Sequence, residues 1–180
     1  MSLTTIAIIG AGPLGRTLAM RAARAGFGVF LEDVLPATLQ QARESIGREL
    51  DAQDLSGDQP GIVFVSSIED AVREADLVID CVPDELESKL EILWLIDRMA
   101  PPRTVIATPT LNLSIADLAA CTNRPRQCIA VAASLADLAA AASPALLLRT
   151  APSTSEEAAA LAADFFRRIG FAPAVECGSA

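Results

Sequence analysis

The sequence predicts an α/β fold: a doubly wound, mostly parallel sheet with helices on both faces. Three observations carry this expectation. The apolar run Ile6-Ala7-Ile8-Ile9 passes straight into Gly10-Ala11-Gly12-Pro13-Leu14-Gly15, and a helical pattern follows at once. Short apolar runs then alternate with helical patterns to the end of the chain, as in parallel strands joined by crossover helices. The 180 residues, 52% of them hydrophobic, suffice for one domain with a sizeable core.

Residues 4–9 read as the first strand and 13–25 as a helix, with Leu14, Leu18, Met20 and Ala22 available to pack and Gly26 and Gly28 to end it. Residues 29–31 read as a second strand ending in Glu32-Asp33, and 36–50 as a helix with a polar face. The stretch 51–61, rich in Asp, Gln, Gly and Pro, reads as a loop. A third strand (62–65), a short helix (68–74) and a fourth strand (77–82) follow, the fourth apolar throughout except for Asp80. A long helix spans 84–99 and is closed by Pro101-Pro102, before a fifth strand at 105–107. Ser114 suits the N-cap of a helix reaching Ala120, with Asp117 in the capping-box place. Strands at 128–132 and 145–148, a helix opened by Ser155-Glu156-Glu157 and ending near Gly170, and an eighth strand at 172–175 complete the alternation. The alanine-rich stretch 136–142 fits either a helix or a slack connection.

The glycine loop is the motif that carries chemistry. Gly10 permits the tight turn from strand to helix, Gly12 lets the backbone approach a pyrophosphate, and Gly15 lets the helix lie close on the sheet. The amides of the first helical turn then face the phosphates, and Pro13 sits where its missing N–H costs nothing. Placed between a strand and a helix, the pattern is a dinucleotide-binding fingerprint. Of the two acids ending the second strand, Asp33 is preferred over Glu32 for the ribose hydroxyls, because it stands just past the carboxyl end. Val34, Leu35 and Pro36 follow, with no arginine to receive a 2′-phosphate, so NAD is favoured over NADP.

The formal net charge of −9, with no basic cluster, argues against nucleic acid and anionic membranes as partners. No apolar run reaches the length of a membrane span and the N-terminus has no secretory pattern, so a cytoplasmic protein is expected. The four cysteines lack Cys-x-x-Cys spacing and read as reduced core thiols. With no histidine in the chain, a zinc site is not expected.

A second set of segments goes beyond the glycine loop. These are Ala75-Asp76-Leu77-Val78-Ile79-Asp80-Cys81-Val82-Pro83-Asp84-Glu85-Leu86, then Lys89, then Thr110 with Leu113-Ser114-Ile115, then Arg124-Pro125 before a strand. In these segments the chain resembles the NAD-binding domain of 3-hydroxyacyl-CoA dehydrogenases, in order over residues 4–176. The resemblance implies a Rossmann-type domain with NAD(H) contacts at Gly10, Gly12, Pro13, Leu14, Gly15, Asp33, Val82, Asp84 and Lys89. Read without it, Asp84 is equally the N-cap of the long helix and Lys89 a partner for Glu85.

The resemblance breaks down at the catalytic positions. The family transfers the substrate proton through a histidine oriented by a glutamate. Ala132 stands at the histidine position, no acid lies near Leu147 where the glutamate belongs, and Leu111 replaces a substrate-binding serine. No catalytic residue is assigned, although Lys89 is a candidate replacement base. The family's C-terminal helical domain has no counterpart in residues 1–180. The expectation is therefore a single NAD-binding domain with little or no dehydrogenase activity of its own. The rivals are a small oxidoreductase acting on a 3-hydroxyacyl-CoA or related hydroxy acid, and an interaction or redox-sensing subunit. A homodimer or a complex with a partner subunit is expected.

Overall fold

The computed structural model describes residues 3–51, 61–133, 138 and 145–178. Its strands are β1 (Thr5–Ile9), β2 (Gly28–Glu32), β3 (Ile62–Val65), β4 (Leu77–Asp80), β5 (Val105–Pro109), β6 (Cys128–Ala132), β7 (Ala145–Thr150) and β8 (Ala172–Cys177). Its helices are α1 (Pro13–Arg24), α2 (Pro36–Asp51), α3 (Ile68–Val72), α4 (Leu86–Met99), α5 (Ile115–Ala120) and α6 (Glu156–Arg168). The strands form one sheet in the order β3-β2-β1-β4-β5-β6-β7-β8. The pairs from β3 to β6 are parallel; β7 runs antiparallel to β6, and β8 lies parallel to β7. This is the expected doubly wound, mostly parallel Rossmann-type architecture.

Alternation along the strands explains why both faces are apolar. Ile6 and Ile8 of β1, Leu77 and Ile79 of β4 and Val105 and Ala107 of β5 join the core beneath α1, α2 and α6. Ala7, Ile9, Val78 and Ile106 join the core beneath α3, α4 and α5. A sheet covered on both sides has no solvent face to favour polar residues, so its strands read as continuous apolar runs. On one face, Phe165 and Phe166 of α6 are fully buried and touch edge-to-face with centroids 5.1 Å apart.

Several boundaries differ from the sequence expectation because pairing decides them. β2 reaches Glu32, whose carbonyl accepts the Gly10 N–H, and β5 reaches Pro109 opposite Val131. β7 and β8 lengthen each other, with Arg149 and Thr150 opposite Glu176 and Cys177. The long helix starts at Leu86 with Glu85 as its N-cap, so the reading of Asp84 as the cap is corrected. Ser114 does cap α5, its hydroxyl accepting the Asp117 N–H at 3.3 Å. The expectation of four core thiols is also corrected. Cys128 is buried and Cys81 partly buried, but Cys121 at the end of α5 and Cys177 on the edge strand are exposed. The alanine-rich stretch 136–142 lies outside the described residues except for Leu138, which is helical and buried.

Candidate functional site

The carboxyl ends of β1, β2, β4 and β5 converge where the strand order reverses, the place an open α/β sheet offers a ligand. β1 leads into the glycine loop. Gly10 adopts φ +101°, and a Cβ there would crowd the Cys81 carbonyl at the end of β4. A Cβ on Gly15 would overlap the Gly10 carbonyl oxygen, so α1 can close onto the loop only with glycine there. Gly12 differs from both: nothing lies within 4 Å of a Cβ built on it. It is the N-cap of α1 and supplies no side chain to cap the helix, so the first turn at Pro13, Leu14 and Gly15 lacks a side-chain acceptor. An open approach to uncapped amides at the positive end of a helix suits a pyrophosphate.

Asp33 is tied to this loop. Its Oδ2 accepts the Ala11 N–H at 3.0 Å and its Oδ1 accepts the Leu35 N–H at 2.9 Å. The carboxylate is thereby fixed at the carboxyl end of β2, where ribose hydroxyls are recognised. Glu32 takes a different path. It follows Leu31, which faces α1, and so points to the opposite side of the sheet; it is only 4% exposed. Burial, and secondly the neighbouring Asp33 charge, raise its carboxyl to about 7.

Across the cleft, the segment after β4 carries Val82, Pro83 and Asp84. Asp84 Oδ2 accepts the Leu111 N–H at 3.1 Å and lies 3.5 Å from Asn112 Nδ2, joining the loops that follow β4 and β5. Asp84 Oδ1 is buried and has no hydrogen-bond partner among the described residues. A buried carboxylate oxygen left without a donor is costly, and a ligand hydroxyl would satisfy it. This orphan oxygen and the open cradle at Gly12 both fit a dinucleotide.

Lys89 is placed differently from expectation. It has no exposed surface and does not pair with Glu85; its ammonium lies 2.7 Å from Asp80 Oδ1. The Thr108 hydroxyl donates to Asp80 Oδ2 at 2.5 Å, and the Val82 N–H approaches Oδ1 at 3.4 Å. Burial pushes the Asp80 carboxyl above its ordinary value, while the Lys89 charge and these hydrogen bonds pull against it. Sealed in this way, Lys89 holds the Asp80 carboxyl at the end of β4 instead of Glu85, the partner its helical spacing suggests. The sequence signal for the network was Asp80 itself, the one acid in an apolar strand.

The two positions where the resemblance leads one to expect a catalytic pair also meet. Ala132 of β6 lies directly opposite Leu147 of β7 in the antiparallel ladder. A cavity of about 630 Å³ lies elsewhere, where α6 passes the amino ends of β5 and β6 near Arg103 and Arg126. No His, Cys, Asp and Glu cluster among the described residues could hold a metal, and no described helix is long and apolar enough to cross a membrane.

Comparison with known proteins agrees with this geometry. The family described as "3-hydroxyacyl-CoA dehydrogenase, NAD binding domain" matches residues 5–178. A probable 3-hydroxybutyryl-CoA dehydrogenase of Bacillus subtilis is 32% identical over 137 residues, covering 72% of this chain and 48% of that protein. A 5-formyl-3-hydroxy-2-methylpyridine 4-carboxylate 5-dehydrogenase of Mesorhizobium japonicum is 34% identical over 133 residues, covering 71% of this chain and 43% of that protein. The chain thus spans under half the length of these curated relatives. Among solved structures, an (S)-3-hydroxybutyryl-CoA dehydrogenase from Ralstonia eutropha superposes with a TM-score of 0.86 at 24% identity, over 99% of this chain and 65% of that one, which speaks for the fold.

Proposed function

Because the chain belongs to the NAD-binding domain family of 3-hydroxyacyl-CoA dehydrogenases, we propose that it binds NAD(H) across the carboxyl edge of its sheet and has little or no dehydrogenase activity by itself. In this reading Gly10, Gly12, Pro13, Leu14 and Gly15 cradle the pyrophosphate, Asp33 takes the adenosine ribose, and Val82 and Asp84 face the nicotinamide half. When bound, NAD supplies the hydride acceptor or donor. The protein residues bind it, orient it and keep its ribose hydroxyls paired.

The observation that carries the low activity is the Ala132–Leu147 pair. The family resemblance puts the proton-transferring histidine and its glutamate at these two positions, and the register brings them face to face. Methyl and isobutyl groups exchange no proton, and losing general acid–base catalysis typically costs on the order of 10²–10⁴ in rate. Lys89 is not available to substitute, because its ammonium is buried against Asp80. Recognition of an acyl-CoA or related hydroxy acid, and pairing into a homodimer or with a partner subunit, are extensions of the same reading.

Calorimetric titration with NADH and NADPH tests it, together with hydride transfer to acetoacetyl-CoA followed by NADH absorbance. Micromolar NADH binding, weaker for NADPH and lost in Gly12→Val, is expected. Turnover at an ordinary enzyme rate would overturn the inactivity, and failure to bind NADH would overturn the cofactor site.

A further inference from the structure

Among the described helices on its side of the sheet, α4 is the longest, with 14 residues against five in α3 and six in α5. Its inward side carries the buried Lys89, Leu93, Ile96 and Asp97. At about 100° per residue, the opposite side is the row Glu87, Glu91, Trp94 and Arg98. All four are exposed. Trp94, the only tryptophan of the chain, is 52% exposed, and the Arg98 guanidinium lies over its ring at 4.6 Å. Leu86 and Met99 extend the exposed apolar surface towards the two ends of the helix. Glu87, Glu91 and Arg98 take part in no ion pair among the described residues. An exposed indole with a charged residue on either side, standing on an uncovered helix face, has the make-up of an interface anchor.

We propose that this row seats a second copy of the chain, α4 packed antiparallel on α4 about a two-fold axis. The spacing and the order of charges carry the inference. From Glu87 to Glu91, Trp94 and Arg98 the steps are four, three and four residues, so the row reads the same from either end. Antiparallel packing sets position 87 against 98 and position 91 against 94, in both directions at once, as an isologous contact requires. The two acids hold the first half of the row and the cation holds its end. Glu87 of each protomer thus meets Arg98 of the partner subunit. Glu91 meets the partner's Trp94, whose indole N–H needs an acceptor once it is covered. Parallel packing would set Glu87, Glu91 and Arg98 each against its own copy, like charge on like.

Leu90 and Leu95 flank the row on its two sides, and both are half-buried, with apolar surface left to cover. A net charge of −9 on each copy opposes unspecific association. A face whose acids and cation are arranged for one another counters that repulsion locally. The helix is about 21 Å long, so the contact lies at the small end of protein interfaces, and a reversible dimer with a dissociation constant of about 1–50 µM is expected. None of these residues belongs to the glycine loop or to Asp33 and Asp84, so the inference stands apart from NAD binding and gives the expected homodimer a specific face.

The test is sedimentation velocity of the full chain from about 1 to 200 µM, with the emission of Trp94 as a second reading that no other tryptophan obscures. Wild type is expected to pass from monomer to dimer over this range, its emission moving to the blue as the ring is covered. Trp94→Ala is expected to raise the dissociation constant about 30-fold or more. Glu87→Arg and Arg98→Glu are each expected to raise it about tenfold or more. The variant carrying both reversals is expected to return close to wild type, because the swap restores each pair with its signs exchanged. All three side chains are exposed, so urea unfolding of every variant is expected to match wild type. A chain still monomeric at about 200 µM would overturn the proposal and leave the row to a different protein. A dimer indifferent to Trp94→Ala and to both reversals would put the interface on another face and overturn it equally. A double reversal no tighter than the weaker single one would overturn the two-fold register.

Discussion

Gly12 and Gly15 stand three positions apart in one loop, yet the structure asks different things of them. Gly15 is there for the fold, since any side chain would run into the Gly10 carbonyl. Gly12 is there for the ligand, since a Cβ would meet nothing and its φ of −65° suits any residue. Gly15→Ala is therefore expected to lose about 3 kcal/mol or more in urea unfolding, at or beyond the upper end of ordinary overpacking. Gly12→Ala is expected to unfold like wild type while binding NADH more weakly. Equal stability of the two variants would contradict this division. The adjacent acids divide in a similar way. The strand pleat turns Glu32 to the α4 side, and the chain carries Asp33 past the strand end to the glycine loop.

Between elements, two buried ion pairs fix α4, one at the cleft and one at the opposite edge of the sheet. Lys89 of α4 clamps Asp80 of β4, and Thr108 of β5 completes the grip, so the helix and both strands share one carboxylate. Lower on α4, Asp97 binds the Arg124 guanidinium at 2.9 Å and the Asn123 side chain at 2.7 Å, fastening α4 to the turn before β6. Removing one partner of such a pair strands the other charge in the interior. Lys89→Met is accordingly expected to cost about 3–5 kcal/mol in urea unfolding. Adding Asp80→Asn should recover most of that loss, because the stranded carboxylate is then gone. A double variant no more stable than Lys89→Met would show that the pair does more than cancel charge.

At the scale of the whole molecule, shifted carboxyls bound the stability from two sides. Burial favours the protonated form of Asp76 and Asp97. Hydrogen bonds from Thr4 and Thr5 to Asp76, and from Asn123 and Arg124 to Asp97, outweigh it and hold both below the usual carboxylate range. Their folded values are lower than their unfolded ones. Their contribution is therefore present above about pH 4 and is lost as pH falls through the folded values. Glu32 has the opposite sign. Its folded value near 7 exceeds the ordinary 4.5, so its contribution is present below about pH 4.5 and is lost as pH rises to about 7. The melting temperature is expected to peak near pH 5, drop in acid and decline towards neutrality, and the neutral decline should shrink in Glu32→Gln. An undiminished decline in that variant, measured by scanning calorimetry, would locate the effect elsewhere.

Much of the fold and half of the cleft were legible in the sequence, because local rules write them there. A strand running into Gly-x-Gly-x-x-Gly, an acid past the second strand and the alternation of apolar runs with helical patterns determine the sheet, its helices and a nucleotide site. Ala132 and Leu147, at the places where the resemblance puts a proton-transfer pair, carry the proposal of low activity. What tertiary structure alone decided were the long-range pairings. It sent Lys89 to Asp80 instead of to its helical neighbour Glu85, left Asp84 Oδ1 without a donor, and set Ala132 across from Leu147. It also turned Glu32 into the interior, where burial raises its carboxyl. Sequence spacing specifies which face a residue occupies. Which charge it meets across that face depends on how the sheet and helices close, and burial then makes each such meeting decisive by removing the water that would otherwise compete.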